Sequence, residues 1–130
     1  MYAQLEKTER ALFNASFDRC METCESDILF INFFYSKLRS ANSDIAAILE
    51  TLPLNFRIHV LRNSIYLLVE YSEGRKSNDE LLEFANAYLR QNIRPFMLDL
   101  WLESLLLAVA EYDPQLSTDL LHIWRKVMMP

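Results

Sequence analysis

The chain has a single glycine, Gly74, and four prolines in 130 residues. All-β sandwiches and barrels need turn residues every ~8–12 positions, so this scarcity excludes them. Phosphate-cradling loops and dinucleotide fingerprints need clustered glycines, so these are excluded too. Cysteine and histidine are almost as rare, at two each. Cys20 and Cys24 fall on successive turns of one helical pattern, with no further Cys or His close enough to complete a metal site. They read as ordinary helix thiols in a reducing compartment rather than as a disulfide framework. Basic residues never gather beyond pairs such as Arg75-Lys76 and Arg125-Lys126, and the formal charge is −5. A nucleic-acid partner, which demands a basic surface, is therefore not expected. Long apolar runs are missing as well. Leu105-Leu106-Leu107-Ala108-Val109-Ala110 is bounded by Ser104 and Glu111, far short of the ~20 residues that cross a bilayer. The opening Met1-Tyr2-Ala3-Gln4-Leu5-Glu6-Lys7 has no basic region followed by an apolar stretch, so no secretory signal is read there. The expectation is a soluble cytoplasmic protein with no membrane partner.

What is present is apolar mass, 52% of the residues against 24% charged, which is incompatible with intrinsic disorder and suits one domain with a real core. Periodicity then points to an all-α fold of six to seven helices over residues 1–130. The first runs from about Gln4 to Thr23, with Leu5, Leu12, Phe13, Phe17, Cys20 and Met21 at helical spacing. The second starts at the N-cap pair Ser26-Asp27 and carries Leu29, Phe30, Phe33, Phe34 and Leu38. The break Ala41-Asn42-Ser43-Asp44 caps a short third helix, Ile45 to Thr51. Pro53, harmless in a first helical turn, opens a fourth that Gly74 terminates. Ser77-Asn78-Asp79-Glu80 caps a fifth, through about Arg90. Arg94-Pro95 opens a sixth that ends at Asp113-Pro114, and a last helix begins near Ser117. The sixth is apolar nearly all round, which marks a helix central to the fold or shared with a partner.

Catalytic constellations are weak. Ser16, Ser36, Ser64 and Ser104 lie mid-helix with no histidine base and no acid foreseeable in reach, so a hydrolase triad is not expected. The carboxylates, Asp99 and Glu103 included, read as single charges on solvated outer faces. Trp101 and Trp124 read as packing residues, placed where the last two helices could meet a second copy. Met128-Met129 reads as packing too.

Several strings in fixed order carry a resemblance. They are Phe34-Tyr35 before Ser43-Asp44-Ile45, then Leu61-Arg62-Asn63-Ser64-Ile65-Tyr66-Leu67-Leu68 and Tyr71-Ser72-Glu73-Gly74. In the second half come Ile93-Arg94-Pro95, the stretch from Leu98 through Trp101 to Leu106, Glu111-Tyr112-Asp113-Pro114 and Trp124-Arg125-Lys126-Val127-Met128. Together, over roughly Leu12 to Met129, they resemble the bacterial single-domain globins related to flavohaemoglobins and globin sensors. That resemblance implies a globin-like fold.

It also implies where haem would be held, and there the chain departs from the pattern. The axial histidine of such globins belongs on the helix before Ile93-Arg94-Pro95, yet residues 81–90 contain no histidine. Ungapped alignment puts Asn86 at the ligand position, and a small shift puts Tyr88 there. An amide is a very poor iron ligand, and a phenolate disfavours the ferrous state that binds oxygen. Leu49 stands where a phenylalanine usually wedges against the porphyrin, Arg57 where a distal Gln or His is usual, and Leu61 at the apolar distal contact. His59, two residues beyond Arg57, points about 200° away from it, and both it and His122 read as surface or structural residues. The resemblance with its missing ligand implies a non-enzymatic, haem-free regulatory, sensor or interaction module, with no cofactor, that dimerises through its last two helices as globin sensors commonly do. The alternative is a haem globin binding or sensing a diatomic gas through an unusual ligand, Tyr88 or His59. A nitric-oxide dioxygenase would need an attached reductase domain, of which this sequence has none.

Overall fold

The computed structural model describes residues 5–22, 28–80, 83 and 95–128. Among them the chain forms six long helices: α1 (Lys7–Glu22), α2 (Ile28–Ala41), α3 (Ser43–Glu50), α4 (Leu54–Ser72), α5 (Pro95–Tyr112) and α6 (Thr118–Met128). The all-α expectation holds, and the boundaries follow capping chemistry. Asn42 adopts an extended conformation and its side-chain oxygen accepts from the N–H groups of Asp44 and Ile45, so α3 starts two residues earlier than Ile45. Pro53 occupies the N-cap of α4 rather than its first turn, with φ −56° and ψ 145°. Gly74 ends α4 at φ +78°, the left-handed conformation glycine adopts without penalty. There the Gly74 N–H donates to the Tyr71 carbonyl and the Arg75 N–H to that of Glu70, the two bonds of a Schellman cap.

Ser77 and Glu80 exchange side-chain-to-backbone bonds in a capping box that opens the next helical turn. The continuation expected to Arg90 lies outside the described residues, apart from Glu83. So do the Ser26-Asp27 cap and Cys24. Ser117 accepts from the Leu120 N–H and so caps α6.

Packing centres on α5. Its most extensive partner is α2, and it also meets α1 and α6. Phe30 and Phe33 set their rings edge-on to Tyr112, and Phe34 meets Trp101 in the same way, so aromatic contacts join α2 to α5. Phe13 of α1 lies 4.7 Å from Trp124 of α6, ring centre to ring centre. Phe13, Phe34, Ile65, Leu105, Val109, Trp124 and Val127 are wholly buried, and Met128 nearly so. Trp124 is thus a core residue of its own chain, in line with its reading as a packing residue. No helix among the described residues is long and apolar enough to cross a membrane.

Candidate functional site

Of the residues the resemblance implies for a haem pocket, Leu49, Arg57 and Leu61 are among those described. Leu49 and Leu61 are buried in the main core cluster, whereas Ile58 is partly buried against it. Arg57 is half-buried, and each of its three guanidinium nitrogens is engaged. Nε donates to the Leu52 carbonyl at 2.7 Å, Nη1 to the Tyr35 hydroxyl at 3.0 Å, and Nη2 approaches the Glu50 carbonyl at 3.5 Å. Two of these acceptors belong to the C-terminal end of α3 and the turn after it, where carbonyls lack helical partners and the helix dipole favours a cation. Arg57 therefore closes the α3–α4 corner and anchors α2 through Tyr35. Tyr35 was legible in the sequence only as part of a recognition string, not as a partner of Arg57. The four-residue spacing of helical faces says nothing about which tyrosine of another helix an arginine will reach.

Asn86 and Tyr88 fall outside the described residues. The two histidines do not: both His59 and His122 are exposed. His59 Nε2 lies 2.9 Å from the Asn63 side-chain nitrogen, one turn along the exposed face of α4. Among the described residues no group of three or more His, Cys, Asp or Glu side chains could hold a metal ion. Haem iron in a globin is held by an imidazole directed into the core. The sequence contains two imidazoles and both lie on the surface, so the donor set does not fit a conventionally ligated haem.

A second cluster was not foreseen. Ser16, expected to have no acid in reach, donates its hydroxyl to Asp113 Oδ2 at 2.5 Å. The same Ser16 oxygen accepts from the Trp124 indole N–H at 2.9 Å. Arg19 completes the set with a two-pronged contact, Nε to Oδ1 at 2.6 Å and Nη2 to Oδ2 at 3.0 Å. The Gln115 N–H donates to Oδ1. Asp113 is therefore a buried carboxylate, contrary to the expectation that acids occupy outer faces. Burial works to raise its pKa, but the bonds from Arg19, Ser16 and Gln115 outweigh that and hold it below the ordinary aspartate value. Cys20, one position from Arg19, is a free, buried thiol. Burial, reinforced by the Asp113 charge, pushes its pKa up to about 12. The serine–carboxylate pair is closed to solvent, and with Trp124 it ties α1, α6 and the end of α5 together. One sequence signal could have exposed it: Ser16 interrupts the apolar face formed by Phe13, Phe17 and Cys20.

No protein-family profile and no curated protein sequence matches the chain. A solved structure does. Protein PA3967 of Pseudomonas aeruginosa PAO1, described as structurally highly homologous to a human hemoglobin, superposes with a TM-score of 0.73 and is 29% identical, over 92% of this chain and 89% of that one. The fold is therefore globin-like, as the sequence strings implied.

Proposed function

We propose that this chain is a globin-fold regulatory or interaction module that works without haem and pairs with a second copy through α5 and α6. One observation carries the reading: the stretch that supplies the axial ligand in globins, residues 81–90, has no histidine, and the two histidines elsewhere are surface residues. Arg57 supports it, because its guanidinium is engaged by Tyr35 and by carbonyls at the end of α3. Leu49 and Leu61 support it by belonging to the packed core. No enzymatic step is proposed, and the free thiol of Cys20 suits the reducing conditions of cytoplasm.

Titration of the purified protein with hemin, followed by absorbance, tests the haem-free reading. The expected result is the broad, unsaturating spectrum of nonspecific hemin. A sharp Soret band saturating at one hemin per chain would overturn it in favour of the second reading, a haem globin ligated by Tyr88 or His59. Tyr88→Phe and His59→Ala would then show which side chain holds the iron.

A further inference from the structure

Among the described residues four polar or charged side chains are buried: Ser16, Ser72, Ser104 and Asp113. Three of them lie where α1 docks. Ser16 belongs to α1 and, together with Arg19, bonds to Asp113 just past the end of α5. Ser72, the last residue of α4, receives Arg10, whose Nη1 donates to the Ser72 hydroxyl at 3.0 Å and Nη2 to its carbonyl at 2.6 Å. Beside Arg10, Glu9 accepts from Lys126 of α6 at 2.8 Å. Polar bonds thus fasten α1 near both of its ends. The helix itself carries six charged residues in 16, against three in the 18 of α5. Its apolar share of the docking is chiefly Phe13, Cys20 and Met21. The contact of α2 with α5, by comparison, is built from rings.

The two kinds of contact respond differently to separation. A polar bond broken on opening is exchanged for one to water, so its net hold is small, whereas buried apolar surface gains no such replacement. What α1 covers is Trp124: the rings of Phe13 and Phe17 lie 4.7 Å and 6.3 Å from it, and Ser16 accepts its indole N–H. We infer that α1 is a strap, latched by Arg10 on Ser72 and by Arg19 and Ser16 on Asp113, that lifts as a unit while α2 and α5 stay packed, and so presents or withholds the apolar face of α6 around Trp124. Local opening of this kind draws on the elements held by the fewest apolar contacts. The inference goes beyond the haem-free reading and does not need it.

Hydrogen exchange of the full chain at rising, sub-denaturing urea tests the strap, read by mass spectrometry on peptides from α1, α2 and α5. In the wild-type protein α1 is expected to be at least tenfold less protected than α2 and α5, with a weaker dependence on urea. Equal protection and equal urea dependence in all three helices would overturn the inference. Two variants separate the latch from the core. Asp113→Asn should speed exchange in α1 at least tenfold, and unchanged α1 exchange would refute the latch. Phe34→Leu, which thins the ring contact with Trp101, should speed α2 and α5 at least tenfold and leave α1 as it was. Acceleration of α1 by the same factor would mean that it opens only with the whole molecule, and the strap would be lost.

Discussion

Trp124 and Asp113 share one hydroxyl: Ser16 accepts from the indole of the first and donates to the carboxylate of the second. Through that oxygen α6, α1 and the end of α5 are held in one buried network. Removing Ser16 takes the acceptor from the buried Trp124 N–H and one bond from Asp113, which keeps those from Arg19 and Gln115. Ser16→Ala should therefore cost about 1–3 kcal/mol, the penalty for stranding a buried donor, measured as a lower urea midpoint at unchanged m-value.

Asp113→Ala should be more severe, because it removes the buried carboxylate that Arg19, Ser16 and the Gln115 N–H share. Loss of one partner of a buried ion pair typically costs about 3–5 kcal/mol. Equilibrium unfolding in urea checks this, and a loss below about 1 kcal/mol would show that the carboxylate is dispensable to the fold.

The same residue sets an acid limit. The folded-state pKa of Asp113 lies below its unfolded value, so the unfolded chain binds the proton more readily. Its stabilising contribution is complete above about pH 5 and is lost as pH falls through the ordinary aspartate pKa of about 3.9 and below. The urea midpoint of the wild-type protein should fall across this window, and Asp113→Asn, already weakened at pH 7, should fall less.

Cys20 should be chemically silent in the native state. Its thiol is buried and its pKa is pushed up to about 12, so thiolate is scarce at neutral pH. In a Cys24→Ser background, an aromatic disulfide reagent at pH 8 should label nothing until urea unfolds the chain. Rapid labelling of the folded protein would contradict the burial.

Gly74 is the remaining local test. Its φ of +78° disfavours any L side chain, although a Cβ there would meet no atom within 4 Å. Gly74→Ala should cost about 1 kcal/mol from backbone strain alone, and Gly74→Asn less, since asparagine tolerates this conformation. Thermal unfolding of the two variants would rank them.

The chain's own order of residues was enough to place most helices, because caps and apolar periodicity act within about four residues. Asn42, Gly74, Ser77 and Ser117 each mark an end that the structure reproduces. The absence of an imidazole between residues 81 and 90 is likewise a fact of sequence alone. Ser16 and Asp113, 97 residues apart, could be joined only by the crossing of α1 over the end of α5. The engagement of Arg57 by Tyr35, 22 residues away, needed the α2–α4 contact. Which side chains share a buried space depends on how helices cross, and crossing geometry is set by the packing of the whole core rather than by any local run of residues.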